Sequence, residues 1–366
     1  RPGGRTARRI TATEAAALVS SGDWLDYGVG FNQPDAFDRA LAARAAELRD
    51  VTIRNCLSMR PRAFLEADPQ GRHFRCFNWH FSGYDRRMHD AGLCHYIPCN
   101  LGEIPAYYRR FIDRLDIAVI KASPMDAEGY FNYGPLNLWH PAMVERAATV
   151  IIEEAADIPP VCGPQTRLHR SQVDYVIAGD DAPIPELPNA VATDVDRAVA
   201  RLIANEVEDG ACLQVGIGGM PNAVTTLLLG SGVQDLGIHT EMLNDGLAEL
   251  YRAGRVSGMR KAVDPGLVTY SFALGSRALY DTVRDNPDFI CRPVDETNLP
   301  EIIARNDRVV AINNTTQIDL QGQASSESDG HRHISGTGGQ LQFVRGAYAS
   351  EGGKSFICLA STYERK

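Results

Sequence analysis

The chain has 366 residues, of which 44% are hydrophobic and 23% are charged, and its formal net charge is −9. The length favours roughly two globular domains, and the acidic balance argues against a nucleic-acid-binding protein, which normally carries a basic face. No run approaches the roughly 18 apolar residues that a membrane span needs, and no signal-peptide pattern opens the chain.

The eight cysteines are scattered without a CxxC pair, and neither Cys94-His95 nor His331–His333 has zinc-site spacing. We therefore expect free thiols in a reducing cytoplasm and no metal site.

Short apolar, β-branched runs alternate with helical patterns along the chain, which predicts mostly parallel sheets with helices on both faces. The predicted strands are Trp24–Val29, Val51–Asn55, Ile117–Lys121, Val150–Glu153, Tyr175–Ala178, Leu213–Ile217, Val309–Ile312 and Phe356–Leu359.

Two helix starts are predicted from capping residues. Thr11 and Glu14 form a capping box that opens a helix ending near Gly22. Asp194 is predicted to cap a second helix, and four apolar side chains fall on one face of that helix. These four are Val195, Val199, Leu202 and Ile203.

The two halves of the chain repeat each other. Gly28–Phe37 parallels Gly216–Val224, each after a capped helix and an apolar strand, and the proline-rich segment Ala182–Pro188 predicts a linker. We predict two tandem, similar α/β domains, residues 1–185 and 190–366. Chance similarity stays open, because the strand–turn–helix unit is common.

The turn Gly216-Ile217-Gly218 suggests a dinucleotide fold, but the third glycine of that fingerprint is replaced by Pro221. Proline favours the first helical position, so we predict a helix that opens at Pro221. The N–H groups of Gly219, Met220 and Asn222 would then point outward and form an anion site. A turn kept only for tight packing remains the alternative.

Glu241 is the candidate nucleophile. It follows the strand-like run Leu236–Thr240, at the strand end where α/β folds place ligands, and the turn Asn244–Gly246 would leave its carboxylate on a loop. An ionised glutamate can attack an acyl group, and a nearby glycine-rich turn exposes amides that stabilise an oxyanion.

The segments Val215–Val224 and Leu236–Leu247 together resemble the signature of the acetyl-CoA hydrolase/transferase branch of the family I coenzyme A transferases. The resemblance extends through Gly338-Gly339-Gln340 to Ser361-Thr362, and into Leu101–Pro105. It implies two tandem domains with the active site in the cleft between them, and a covalent glutamyl-CoA thioester on Glu241.

The resemblance also implies oxyanion and CoA-binding residues. The asparagine that faces the glutamate would be Asn313, with its neighbour Asn314 left open, and the second oxyanion donor would be Gly339. A plain flexible loop at Ser335–Gly338 is the alternative there. The full set is Gly218, Gly219, Met220, Pro221, Asn222, Asn313, Gly339 and Lys366.

The first half departs from the family at His80–Arg87 and Asn137–His140, which are bulkier and more basic than usual. If this cluster lines the acyl pocket, arginine would suit a second carboxylate, as in the itaconate-type members. A solvated charged face is the alternative. The candidate pocket residues are His80, Arg86, Trp139 and His140.

The resulting hypothesis is a CoA transferase that moves CoA from acetyl-CoA or succinyl-CoA to a small carboxylic acid, either a dicarboxylate such as itaconate or 4-hydroxybutyrate or butyrate. The alternatives are an acyl-CoA hydrolase that uses Glu241 and a noncatalytic CoA-binding protein. We expect CoA only as a substrate, no tightly bound cofactor, no nucleic-acid or membrane partner, a cytoplasmic location and a homo-oligomer (dimer or tetramer). Because the family continues past this point, the functional protein is expected to contain further sequence beyond Lys366, or a second polypeptide that supplies it.

Overall fold

The structure is a computed structural model that describes residues 5–180 and 182–362. It divides into two compact units. Unit 1 takes the chain up to Cys99, Glu103–Pro185 and Ile334–Gly336; unit 2 takes Asn100–Gly102, Glu186–His333 and the chain from Thr337 onward. Two short segments therefore lie apart from their neighbours in sequence: Asn100–Gly102 belongs to unit 2, and Ile334–Gly336 belongs to unit 1.

Unit 1 is built on parallel strands with helices between them. Its strands are β1 (Arg8–Arg9), β2 (Trp24–Val29), β3 (Val51–Cys56), β4 (Phe74–Asn78), β5 (Cys94–Tyr96), β6 (Ile117–Ala122), β7 (Tyr130–Asn132), β8 (Thr149–Glu154), β9 (Arg167–His169) and β10 (Tyr175–Ala178). Its helices are α1 (Ala12–Ala16), α2 (Ala36–Ala42), α3 (Ala63–Glu66), α4 (Gly83–Asp90), α5 (Ile104–Arg110) and α6 (His140–Arg146).

Unit 2 follows the same plan. Its strands are β11 (Cys212–Val215), β12 (Gly237–Leu243), β13 (Val268–Ala273), β14 (Phe289–Cys291), β15 (Val309–Asn314), β16 (Gln317–Ile318), β17 (Ala324–Ser325) and β18 (Lys354–Cys358). Its helices are α7 (Asp194–Ala204), α8 (Gly219–Gly230), α9 (Asp245–Arg252), α10 (Arg277–Val283), α11 (Pro300–Ile303) and α12 (Gln340–Ala349).

The strand order confirms that the halves repeat each other. The large sheet of unit 1 has the order β1-β10-β8-β6-β2-β3-β4-β5, and that of unit 2 has the order β14-β13-β12-β11-β15-β18. All neighbours in both sheets are parallel. In each sheet the first long strand is central, the next three extend to one side, and the chain then returns to the other side. The Gly28 and Gly216 turns both follow that central strand.

The eight predicted strands are present, with bounds that differ by a few residues at most. Their apolar side chains form the cores: Leu25, Ile53, Val119, Ile151 and Ile177 are fully buried in unit 1. Near-continuous apolar runs identify such strands because both faces of a parallel sheet are covered.

Several helix details differ from prediction. Thr11 and Glu14 do form the capping box, but α1 ends at Ala16 rather than near Gly22. The cap of α7 is Thr193, not Asp194, because the Thr193 hydroxyl accepts from the Asp196 amide.

The predicted apolar face of α7 is only partly correct. Ala200 and Ile203 are the buried residues, whereas Val195 is 55% and Leu202 71% exposed. Residues 182–192, which span the boundary between the two units, contain neither helix nor strand. Among the described residues no helix is long and apolar enough to cross a membrane.

A buried carboxylate caps α2 in unit 1. Glu153 at the end of β8 accepts hydrogen bonds from the amides of Asp35 (2.9 Å), Ala36 (3.1 Å) and Phe37 (3.0 Å). The Lys121 ammonium lies 3.8 Å from the same carboxylate. Glu153 thus satisfies amides that a helix start leaves without partners.

We expect Glu153→Ala to lower the free energy of unfolding by about 3 kcal/mol, because three buried amides lose their acceptor. Glu154→Ala is the matched control: this neighbour pairs with the exposed Arg9 at 2.7 Å, and its loss should cost about 1 kcal/mol or less. Urea denaturation at pH 7 measures both, and equal losses in the two variants would contradict the capping role of Glu153.

Candidate active site

Glu241 lies within strand β12, not on a loop as predicted. The first residues of β12 pair with β11, but those pairs end at Ile238, while pairing with β13 continues to Leu243. Side chains alternate along a strand, so His239 and Glu241 point to the same face. The sequence misled here because the Asn244–Gly246 turn starts later than its composition suggests: Asn244 is the N-cap of α9, and its side chain accepts from the Leu247 amide.

Two residues from distant parts of the chain meet the Glu241 carboxylate. The Asn298 side-chain amide donates a hydrogen bond to Glu241 Oε2. Gly339, the residue before α12, lies so close that a Cβ at this position would overlap both the Glu241 carboxylate and the Asn298 amide. Only glycine therefore fits at position 339, and its backbone approaches the carboxylate directly.

Burial raises the pKa of Glu241 from 4.5 to about 7, and the hydrogen bond from Asn298 opposes that rise. The side chain keeps partial access to solvent. A carboxylate with a raised pKa is a stronger base and a better nucleophile once ionised, which is common at catalytic positions.

His239 is fully buried and linked to the segment that carries Asn298. Its Nε2 lies 2.8 Å from the Thr297 carbonyl oxygen. Burial lowers the pKa of His239 to about 4, so the ring is neutral at pH 7 and must carry its proton on Nε2 to donate to that carbonyl. His239 and Glu241 thus each contact one residue of the Thr297-Asn298 pair.

The segment Asn100–Gly102 packs next to the residues around Glu241. The Gly102 amide donates to Gln342 Oε1 at 2.9 Å, and the Leu101 amide donates to the Gly338 carbonyl at 2.9 Å. A Cβ at Gly102 would come within 2.8 Å of the Asn298 Cβ. The family-like run at Leu101 therefore contacts Asn298, and also Gly338 and Gln342 on either side of Gly339.

The glycine turn opens α8 at Gly219, two residues earlier than predicted. Gly218 has φ +125°, a conformation that favours glycine, and Met220 and Pro221 are buried. The amides of Gly219 and Met220 lie in the first turn, where N–H groups have no partner within the helix. Asn222 is anchored by its side chain, which donates to the Ala190 carbonyl at 3.1 Å.

The turn is tied to the end of β12 through Asn244, whose side chain donates to the carbonyls of Val215 (3.3 Å) and Gly216 (3.1 Å). Asn313 does not occupy the place expected beside Glu241: its side chain and that of Gln214 form two reciprocal hydrogen bonds of 3.1 and 3.0 Å. The asparagine that meets Glu241 is Asn298. Asn298 was not predicted, since Thr297-Asn298-Leu299-Pro300 contains no catalytic motif and only its helix-start proline stands out.

His80 and Arg86 both contact the short segment Ile334–Gly336. Arg86 Nε donates to the Ile334 carbonyl at 2.8 Å, and a Cβ at Gly336 would lie 2.7 Å from His80 Nδ1. Their shared neighbour is thus a main-chain segment that leads, three residues on, to Gly339.

Trp139 and His140 are buried in unit 1. Trp139 packs on Trp79 with ring centroids 6.2 Å apart, and His140 stacks on Tyr133 at 5.0 Å. Burial lowers the pKa of His140 to about 3, so its ring is uncharged at neutral pH. His140 therefore supplies no positive charge to a second carboxylate. Lys366 lies outside the described residues.

Within residues 5–180 and 182–362, no group of three or more His, Cys, Asp and Glu side chains is arranged to hold a metal ion. The cysteines in these ranges are free thiols.

Comparison with known proteins identifies two family models in the chain. The acetyl-CoA hydrolase/transferase N-terminal domain matches residues 6–188, and the C-terminal domain of the same family matches residues 275–366. Among curated relatives, the butyryl-CoA:acetate CoA-transferase of Anaerostipes caccae is 44% identical over 97% of this chain and 80% of its own length. The succinyl-CoA:cyclohexane-1-carboxylate CoA transferase of Geobacter metallireducens is 40% identical over 95% and 78%.

Solved structures agree. The crystal structure of RipA from Yersinia pestis has a TM-score of 0.87 at 34% identity and covers 98% of this chain and 83% of its own. The 4-hydroxybutyrate CoA-transferase of Porphyromonas gingivalis has a TM-score of 0.77 at 31% identity, with 98% and 82% covered.

Glu241 should make the folded state less stable as pH rises. Its folded-state pKa of about 7 lies above the value near 4.5 of an unperturbed glutamate, so the folded chain retains a proton that the unfolded chain releases. The stabilisation is complete below pH 4.5, declines between pH 4.5 and 7, and is lost above pH 7.

We therefore expect Glu241→Gln to be more stable than the wild-type chain at pH 8 by about 1–3 kcal/mol, and to lose this advantage towards pH 5. Chemical denaturation at pH 5, 6, 7 and 8 measures the difference. Glu249→Gln, at an exposed position on α9, is the control for removal of a charge without a buried environment. A gain of the same size and pH dependence in both variants would refute the assignment.

Proposed function

Because the chain belongs to the acetyl-CoA hydrolase/transferase family, we propose that it is a CoA transferase that moves CoA from an acyl-CoA to a small carboxylic acid through a glutamyl-CoA thioester on Glu241. The observation that supports this most directly is the buried Glu241 carboxylate, held between the Asn298 amide and the backbone at Gly339. CoA enters this scheme as a substrate and not as a resident cofactor.

The reaction begins when an ionised Glu241 oxygen attacks the thioester carbonyl carbon of the donor. The C–S bond breaks, which gives a mixed anhydride between the acyl group and Glu241, and free CoA thiolate. The thiolate then attacks the Glu241 carbonyl carbon, releases the donor acid as a carboxylate, and forms the glutamyl-CoA thioester. An acceptor carboxylate repeats the steps in reverse, so one thioester is lost, one is formed, and no water is consumed.

Each attack passes through a tetrahedral oxyanion that needs hydrogen-bond donors. The Asn298 amide already donates to a Glu241 oxygen in the resting state, so it is placed to stabilise negative charge that develops on that oxygen. The amides of Gly339 and of the glycine turn at Gly219 and Met220 are the candidate further donors. A well-placed donor of this kind contributes about 3 kcal/mol to transition-state stabilisation.

The raised pKa of Glu241 suits a carboxylate that must act as both nucleophile and leaving group. Burial makes the ionised oxygen more reactive, and the single Asn298 hydrogen bond keeps a usable ionised fraction near neutral pH. Exclusion of bulk water also protects the anhydride and the thioester from hydrolysis.

Short monocarboxylic acids are our first choice of acceptor, with acetyl-CoA or succinyl-CoA as donors. Relatives at 44% and 40% identity are named for butyryl, acetate and cyclohexane-1-carboxylate substrates. A dicarboxylate such as itaconate rested on the basic cluster, but His140 is uncharged and Arg86 donates to a main-chain carbonyl. These contacts weaken the argument for a second-carboxylate pocket built from those two residues.

Two other functions use the same residues. An acyl-CoA hydrolase would use water in place of the acceptor acid. The acetyl-CoA hydrolase of Candida glabrata is 28% identical over 64% of this chain. A noncatalytic CoA-binding protein would bind acyl-CoA without turnover.

The family resemblance is also our basis for expecting a homo-oligomer in the cytoplasm with no tightly bound cofactor and no nucleic-acid or membrane partner. Size-exclusion chromatography with light scattering tests the oligomeric state.

When acyl-CoA is added without acceptor, we expect a covalent CoA adduct on Glu241, one per chain, detected by intact-mass analysis and located by peptide mapping. The rate of adduct formation should rise with pH and reach half its maximum near pH 7, because only the ionised carboxylate attacks. Glu241→Ala and Glu241→Gln should form no adduct. An adduct in either variant would show that another residue is the nucleophile.

Gly339→Ala provides an independent check on the geometry within the same experiment. Its Cβ would displace the Glu241 carboxylate, so we expect adduct formation at least about 100-fold slower with the fold retained. Gly232→Ala, where an added Cβ meets nothing within 4 Å, is the control.

Turnover should depend on the acceptor acid. We expect acyl exchange between acetyl-CoA and butyrate to exceed release of free CoA into water by at least about 100-fold, because a bound acceptor acid would displace water from the reacting carbonyl. Free thiol and new acyl-CoA are measured in the same reaction by thiol titration and chromatography. Free CoA release that is unaffected by butyrate would favour the hydrolase, and acyl-CoA binding without either product would favour the noncatalytic protein.

A further inference from the structure

The motif His239-Thr240-Glu241 contains a histidine to which the proposed reaction assigns no role. His239 is 1% exposed, lies on the same strand as Glu241 and two residues before it, and shares its face of the sheet. A buried histidine costs stability unless its polar atoms are satisfied, so its placement here calls for a physical reason.

The His239 ring makes one hydrogen bond, from Nε2 to the Thr297 carbonyl at 2.8 Å. In the described part of the chain, its Nδ1 has no hydrogen-bond partner. The ring also packs against Phe343 of α12, with ring centroids 6.3 Å apart and the two planes tilted by 54°. The ring is therefore oriented by one directed hydrogen bond and by packing.

That bond reaches the residue directly before Asn298. The Thr297 hydroxyl accepts from the Ser271 hydroxyl at 2.8 Å and donates to the Pro293 carbonyl at 3.3 Å. The backbone N–H of Asn298, as distinct from its side-chain amide, donates to the Val294 carbonyl at 2.9 Å. The Thr297 carbonyl and the Asn298 N–H belong to one peptide group, so this peptide is held at its N–H by the Val294 carbonyl and at its carbonyl by His239.

We propose that His239 is a positioning residue for the proposed reaction: through the Thr297 carbonyl it holds the peptide that aims the Asn298 amide at the Glu241 carboxylate. This inference rests on the proposed function of Glu241. Strand β12 then presents the nucleophile and, two residues earlier, the side chain that fixes the donor opposite the nucleophile. Because the two side chains share one strand, their spacing is set by the strand repeat and not by a loop.

The neutral state of the ring is consistent with this role. Burial first, and then the Lys261 charge, lower the pKa of His239 to about 4, while the Thr297 bond and Asp264 oppose the shift and Arg292 adds to it. The ring therefore keeps its Nε2 proton and its charge state throughout the range in which Glu241 titrates.

The test compares two amide replacements. His239→Gln can place an N–H near the position of Nε2 and reach the Thr297 carbonyl, whereas His239→Asn is shorter and cannot. Ser271→Ala is the matched control, because it removes a buried hydrogen bond to the Thr297 hydroxyl without touching the carbonyl. Circular dichroism and the melting temperature verify that each variant is folded.

Loss of the Asn298 bond should raise the pKa of Glu241, since that bond lowers it. We therefore expect adduct formation in His239→Asn to be at least about tenfold slower at pH 7, with its pH midpoint higher by about 0.5 unit or more. His239→Gln and Ser271→Ala should keep the wild-type midpoint. In the wild-type chain, ¹⁵N NMR of the imidazole should show protonation at Nε2 alone from pH 5 to 8.

A wild-type midpoint and rate in His239→Asn would overturn the inference, as would equal shifts in His239→Asn and His239→Gln or an Nδ1-protonated ring. A shift in Ser271→Ala as large as that in His239→Asn would assign the effect to general loosening of the turn and would also overturn it. Absence of any adduct in the wild-type chain would instead reject the proposed function.

Discussion

The site depends on the close approach of a backbone to a buried carboxylate. Glu241 keeps partial access to solvent, and its carboxylate is met by one side-chain amide, from Asn298, and by one glycine without a side chain, Gly339. A carboxylate in such a place is costly to ionise, which is why its pKa rises to about 7. Other residues of unit 2 hold those two neighbours in place. Gly102 packs against Asn298, the Leu101 amide donates to the Gly338 carbonyl, and α12 starts directly after Gly339.

Local sequence patterns predicted the elements well and the contacts between distant segments less well. The strands were recognisable because a strand buried on both faces is apolar throughout, and the repeated glycine turn located the central strand of each half. Glu241 and Gly339 were identified by resemblance and are in contact in the structure. Asn298 was not predicted, since its role arises from a hydrogen bond across 57 residues of sequence and leaves no periodic or motif trace.

The errors have local physical causes. The helix after the glycine turn starts at Gly219 because Gly218, with a non-helical φ of +125°, is its N-cap, so proline falls at the third helical position. Thr193 caps α7 in place of Asp194, since its hydroxyl accepts from the Asp196 backbone amide and the Asp196 carboxylate accepts from the Thr193 backbone amide, one residue out of register with the prediction. His140 looked basic in sequence, but burial removes its charge.

The two halves use the same strand–turn–helix arrangement in different ways. In each half a turn after the central strand leads into a helix, and a helix start exposes unpaired amides. In unit 1 those amides are taken by the chain itself: Glu153 accepts three of them, and Lys121 stands beside it. In unit 2 the corresponding turn, at Gly218-Gly219, is bound at its edges by Asn244 and Asn314, which bond to carbonyls rather than to the helix amides. The first copy therefore uses a buried carboxylate to satisfy its helix start, whereas the second fixes its glycine turn through the carbonyls of Gly216 and Ile217. The two copies can differ in this way because the stability that unit 1 gains at its helix start does not depend on how the polar groups of unit 2 are satisfied.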